Sequence, residues 1–212
     1  MVTFSRSFPD AQAEPEPCGL CRRAAPKYSR AVAYGAFEDA LREMIHLLKY
    51  DRVLPAAKLL GNKLSDALRQ TPAPNGGEWL LVPVPLHVSK LRQRGFNQAE
   101  LIARAALKRR PVDAVLNTKC LVRHRETVPQ AGLTRHQRRE NLRGAFAVRD
   151  TGAVRDRDVL LADDVFTTGT TISECARVLL RAGARSVSAV TVARVLKADR
   201  IGIERVEAER AA

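Results

Sequence analysis

The chain has 212 residues, 45% apolar and 5% aromatic, with 36 Lys+Arg against 23 Asp+Glu for a formal net charge of +13. That is apolar material for one sizeable core with a small appendage, and no apolar run reaches the roughly 18–20 residues that span a bilayer, so no membrane insertion is expected. The charge points to polyanions as partners, either nucleic acid or a phosphorylated small molecule, while the few aromatics speak against a stacking platform for single strands.

Residues 1–30 read as an irregular leader. Met1–Pro17 is acidic and proline-bearing, which does not read as a signal peptide. Four irregularly placed cysteines make no disulfide framework, so a reducing, cytoplasmic setting is expected. Ala31–Phe37 reads as a short strand, followed by a helix with Leu41, Met44, Ile45 and Leu48 at helical spacing. A second helix near Leu54–Leu68 ends in the breaker cluster Thr71–Gly77. The boundary placed there divides the chain into a leader (1–30), an N-terminal helical part (31–75) and a main domain (76–212).

Beyond the boundary, apolar runs alternate with helices. Trp79–Val84 is a near-continuous apolar strand, then come a basic loop and a helix near Asn97–Arg109. Lys119–Arg123 and Ala145–Val148 are short strand candidates around an arginine-rich stretch. Val159–Ala162 predicts a buried strand, Thr171–Ala182 a helix, and Val187–Val195 another strand. Fully apolar strands alternating with helices predict a mostly parallel, twisted sheet flanked by helices. Ligands of such sheets sit at the carboxyl ends of the strands, here the loops after Val84 and Ala162.

The strongest signal follows Val159–Ala162: Asp163-Asp164-Val165-Phe166-Thr167-Thr168-Gly169-Thr170-Thr171. The strand delivers two carboxylates to its end, and a small-residue loop opens a helix whose N-terminus suits an anion. Gly169 lets backbone approach a phosphate, and the threonines add neutral donors. Two carboxylates would repel an anion unless they accept hydrogen bonds from a diol or hold Mg²⁺ through water. No Gly-Lys-Ser/Thr follows the first glycine, so this is no P-loop. A phosphate and a diol at that separation describe a ribose 5-phosphate.

The same segment resembles the phosphoribosyl-pyrophosphate signature of type I phosphoribosyltransferases. The resemblance implies their α/β fold with a small N-terminal hood. It also implies that Asp163 and Asp164 contact the ribose hydroxyls, as catalytic-site carboxylates, while Val165, Phe166, Thr167, Thr168, Gly169, Thr170 and Thr171 follow them around the 5-phosphate. Upstream, Pro83-Val84-Pro85-Leu86 and Arg92-Gln93-Arg94-Gly95-Phe96-Asn97-Gln98 are similar to the ComF competence-protein branch, as is Ile45-His46-Leu47-Leu48-Lys49-Tyr50. Lys90, Arg92 and Arg94 are then expected to take the pyrophosphate, guanidinium forks being its natural partners. The stretch holding Arg123, Arg125, Gln130, Arg135, Arg138 and Arg139 is expected to be a lid that excludes water.

Many ComF proteins carry a zinc module of two Cys-x-x-Cys pairs. Only Cys18 and Cys21 stand in place here, and zinc wants four ligands, so zinc is not expected. The resemblance implies 5-phosphoribosyl-1-pyrophosphate as ligand with Mg²⁺ as cofactor, and transfer of the phosphoribosyl group to an acceptor. Its alternative is a non-catalytic protein of single-stranded DNA uptake that senses the sugar phosphate. A homodimer is among the states considered.

Overall fold

The computed structural model describes residues 2–4, 25–128 and 134–196. Their apolar runs form a six-stranded sheet in the order β1 (Val2–Phe4), β2 (Ala31–Ala36), β8 (Ser186–Arg194), β7 (Asp158–Phe166), β3 (Trp79–Pro83) and β4 (Ala114–Leu116). Every pairing in it is parallel. β5 (Leu121–Arg123) and β6 (Phe146–Val148) make a separate antiparallel pair. The helices are α1 (Asp39–Lys49), α2 (Pro55–Leu68), α3 (Val88–Arg94), α4 (Gln98–Leu107), α5 (Arg135–Leu142) and α6 (Thr170–Arg181). The sheet is parallel and flanked by helices, as the apolar runs predict.

Strand alternation explains how one sheet serves two cores. Trp79, Leu81, Leu160, Ala162, Val190 and Val192 share a core with α1, α2 and α4. The intervening Leu80, Val82, Val159, Leu161, Val187 and Ala189 belong to the other core, under α6, β5 and β6. Residues on both faces are buried, which is why these strands read as continuous apolar runs rather than alternating ones. α2 lies close against α4: a Cβ on Gly61 would sit 2.5 Å from the Ala105 Cβ, so only glycine permits this approach.

The connections place a crevice. β3 leads through α4 to its neighbour β4, whereas β7 leads through α6 to β8 on its opposite side. β3 and β7 are adjacent, so the chain departs in opposite directions from their carboxyl ends, the usual ligand crevice of an open α/β sheet.

Several expectations are corrected. Val2–Phe4 pairs with β2, where an irregular leader was predicted. β2 pairs with β8 inside the main sheet, so the Thr71–Gly77 segment is a loop within a single sheet and not a boundary at residue 75. The basic segment after β3 folds as α3, and the arginine-rich stretch contains α5. α5 starts with a capping box: Thr134 Oγ1 accepts from Gln137 N at 3.3 Å while Gln137 Oε1 accepts from Thr134 N at 2.8 Å. Cys18, Cys21 and Gln130 lie outside the described residues. No described helix is long and apolar enough to cross a membrane.

Candidate functional site

A cavity of about 190 Å³ opens at the carboxyl ends of β3 and β7. Its wall includes Asp163, Asp164, Thr167 and Thr171 from the β7–α6 segment, and Lys49, Arg123 and Arg138 from elsewhere in the chain. A second cavity, of about 250 Å³, lies against Lys27, Arg139, Thr168, Gly169, Thr170 and Ser173. The acidic-threonine segment therefore contributes to the walls of two cavities.

β7 is longer than expected and carries the two carboxylates within its last residues, Asp163 pairing with Thr191 and Val165 with Ala193. Successive strand residues point to opposite faces, so the two acids enter different surroundings. Asp164, 3% exposed, pairs with the Lys49 ammonium, and its Oδ1 accepts from Gln98 Nε2 at 3.5 Å. Its Oδ2 takes no further hydrogen bond although it is buried. Asp163 keeps some exposure to the cavity, and its Oδ1 accepts from the Asp164 backbone N–H at 2.9 Å.

These surroundings separate the two protonation states. Burial, then the Asp164 charge beside it, pushes Asp163 well above the usual carboxylate range. Burial would raise Asp164 too, but the Lys49 ammonium and hydrogen bonds from Asp163, Lys49 and Gln98 carry it below that range. Asp163 therefore holds its proton to higher pH than Asp164, which is the acid that carries the negative charge beside Lys49.

The loop turns at Gly169, the N-cap of α6, where φ is 73°. A Cβ there would come 2.6 Å from Phe166 Cζ and 2.9 Å from the Tyr28 hydroxyl, so side chain and conformation both demand glycine. Phe166 is wedged edge-on to Tyr28, at 6.1 Å between ring centroids, with the Arg194 guanidinium 5.9 Å from its own. Thr168 and Thr170 share a hydroxyl–hydroxyl bond of 2.8 Å. A rigid, small-residue loop thus leads into a helix N-terminus, which favours an anion.

The cations are arranged differently from expectation. Lys90 and Arg92 are exposed on α3 and do not line the cavity. Arg94 reaches it only indirectly, donating from Nη1 to Gln98 Oε1 at 2.5 Å. Arg123 is in the wall rather than a lid: it belongs to β5, bridges His87 by its backbone, and lies 5.6 Å over the Phe146 ring. Its Nη2 bonds Thr127 Oγ1, while its buried Nε has no hydrogen-bond partner. Burial lowers its pKa, with Cys175 and Asp163 acting in the opposite sense. Arg138 is 7% exposed and lines the cavity, Arg139 lines the second one, and Arg125 Nη2 is committed to the Asn141 and Arg143 carbonyls at 2.9 and 2.7 Å. For Arg135 the backbone is described, in α5.

Two residues of the cavity wall, Lys49 and Gln98, are absent from the expected site. Each carried a signal. Lys49 lies four residues after the buried Ile45, and Gln98 four before the buried Ile102, so each shares a helical face with core residues. Among the described residues no group of three or more His, Cys, Asp or Glu could hold a metal.

Comparison with known proteins bears on this site. A family model described as phosphoribosyl transferase domain matches residues 94–207. The DNA utilization protein YhgH of Escherichia coli is 31% identical over 182 residues, which cover 85% of this chain and 78% of that protein. Competence protein F of Haemophilus influenzae is 31% identical over 186 residues, covering 84% and 78%. Among solved structures, a glutamine phosphoribosylpyrophosphate amidotransferase from B. subtilis matches 86% of this chain and 39% of its own, at 15% identity and a TM-score of 0.44.

Proposed function

Because this chain belongs to the phosphoribosyl transferase domain family, alongside competence protein F, we propose that it binds 5-phosphoribosyl-1-pyrophosphate with Mg²⁺ and transfers the phosphoribosyl group to an acceptor. The observation that carries the reading is the juxtaposition in one wall of the Asp163–Asp164 pair, Thr167 and Thr171 of the loop that follows it, and the half-buried Arg123. Asp163 and Asp164 would meet the ribose diol, with Asp164, held ionised by Lys49, as the charged acceptor. The start of α6, which Thr167 and Thr171 bring to this cavity, would take the 5-phosphate. Arg123 and Arg138 would take the pyrophosphate in place of Lys90, Arg92 and Arg94.

The residues suit Mg²⁺ of a particular kind. Two hard carboxylates hold a divalent ion only weakly by themselves, but they suit one brought in on a pyrophosphate, whose oxygens would supply further ligands. When bound, such an ion would neutralise the leaving pyrophosphate. The reaction breaks the bond from C1 to the pyrophosphate oxygen and forms a bond from C1 to the acceptor. The protein's part is to orient the sugar and stabilise the departing charge.

The wall cations are separable by mutation. Arg123→Met should weaken the sugar pyrophosphate by about 1.5–3 kcal/mol, the worth of charged hydrogen bonds, and ribose 5-phosphate far less. Lys90→Ala with Arg92→Ala should cost under about 1 kcal/mol, as exposed charges do. Calorimetry giving the reverse order would return the pyrophosphate to α3. Pyrophosphate release against a panel of bases tests turnover.

A second reading, DNA handling, is favoured by the names of the relatives and by the charge of +13. It predicts single-stranded DNA binding whose log–log salt slope grows by about −0.7 per phosphate neutralised. Arg138→Ala with Arg139→Ala should reduce that slope. No anisotropy change at about 50 mM salt would leave the charge as a solubility feature.

A further inference from the structure

The carboxylates at the end of β7 meet a cation that the chain itself supplies. Lys49 is the last residue of α1, and its ammonium pairs with Asp164. The two side chains are only 15% and 5% exposed, and both line the cavity with Asp163. A buried pair of this kind contributes little to stability, because the loss of hydration offsets the attraction. An apolar residue would finish α1 equally well on that ground alone. The position of the ammonium has a direct consequence for ligands, since any cation drawn to Asp164 meets Lys49 first.

The backbone around Lys49 is fixed. Tyr50 N donates to the His46 carbonyl at 2.8 Å and Val53 N to the Leu47 carbonyl at 3.0 Å. Arg52, in the left-handed region at φ 55°, ties the turn to α3 by donating from Nη2 to the Gln93 carbonyl at 2.6 Å. Lys49 can therefore leave Asp164 by rotating its long side chain, with α1 staying in place.

We propose that Lys49 is an internal counter-cation, which the site exchanges for the divalent cation that arrives with its ligand. The inference rests on the reading of the cavity as a sugar-pyrophosphate site. Without ligand, Lys49 neutralises Asp164. With ligand, the divalent cation takes over the carboxylates and the ammonium swings away, because two cations at one carboxylate repel strongly inside a protein. A sugar phosphate that brings no cation would have to compete with Lys49 for Asp164. The exchange thus favours the metal-carrying pyrophosphate over its hydrolysed product.

Mn²⁺ alone is the probe, counted by the free-ion paramagnetic resonance signal during titration of wild type, Lys49→Met and Lys49→Arg. Lys49→Met is expected to bind Mn²⁺ at least about tenfold more tightly than wild type, because a repelling charge at short range is gone. Lys49→Arg, which keeps the charge, should stay near wild type. Equal or weaker binding by Lys49→Met, or no binding by any of the three, overturns the exchange. Lys49→Gln serves the same comparison if the methionine variant does not fold. A parallel titration of wild type with 5-phosphoribosyl-1-pyrophosphate and Mg²⁺ separates the two claims. Absence of binding there removes the ligand reading and leaves the Mn²⁺ comparison to judge Lys49, whereas binding there without a gain in Lys49→Met removes only the exchange.

Discussion

Replacing Asp163 and Asp164 together by Asn is expected to weaken binding of 5-phosphoribosyl-1-pyrophosphate by about 2–4 kcal/mol, because its hydroxyls lose a charged acceptor. The two positions should contribute unequally. Asp164 carries the negative charge and is tied to Lys49 and Gln98, so Asp164→Asn should account for most of the loss. Asp163, pushed upward by burial and by the Asp164 charge, gives up its proton less readily, so Asp163→Asn removes less charge from the site and should cost less. Removing Asp164 also leaves the Lys49 ammonium largely buried without its counter-charge, which destabilises the fold. The triple variant with Lys49→Met restores neutrality and is the fair comparison for binding. Calorimetry that finds wild-type affinity in a folded Asp163→Asn, Asp164→Asn protein would remove the carboxylates from the site.

Asp158, at the opposite end of β7, is expected to matter for stability alone. Its side chain is fully buried and collects three donors: Gly76 N at 2.8 Å, Ser186 Oγ at 2.6 Å and Arg185 Nη1 at 3.2 Å. These fasten the loop before β3 and the start of β8 to the start of β7. Asp158→Ala should lower the unfolding free energy by about 2–4 kcal/mol, since an amide and a hydroxyl lose a buried, charged acceptor. The loss is not larger because Arg185, 44% exposed, stays hydrated. Burial alone would raise the Asp158 pKa, but the bonds from Ser186, Gly76 and Arg185 hold it below the ordinary carboxylate value. A folded pKa below the unfolded one stabilises at pH values above the unfolded pKa, and that share disappears as pH falls through the folded one. The gap between wild type and Asp158→Ala should therefore be constant near neutrality and shrink below about pH 4. Urea unfolding that shows a gap under about 0.5 kcal/mol, or one that widens in acid, would contradict this account.

The two carboxylates and the threonine-glycine loop could be read from the sequence because everything that makes them a ligand loop is local. An apolar strand, two acids, a glycine at positive φ and a helix start are consecutive in the chain, and each has its own chemical reason. The parallel sheet was legible for a similar cause: strands buried on both faces are apolar at every position, and helices fall between them. The helix in the arginine-rich stretch, read as a lid from the sequence, did carry a local signal, with Thr134 and Gln137 at capping-box spacing.

Which cations face the carboxylates was decided only by tertiary structure. Lys90, Arg92 and Arg94 are near the crevice in sequence, but α3 buries none of its residues and leaves Lys90 and Arg92 to solvent. Lys49 and Arg123 lie far from Asp164 along the chain, on α1 and β5. They reach the cavity because β2 enters the sheet beside β8, setting α1 over one face, and because the β5–β6 pair packs on the other. Local pattern fixes which residues can bind an anion or a diol. Long-range strand order fixes which charges stand beside them, and with that which of two neighbouring acids keeps its proton.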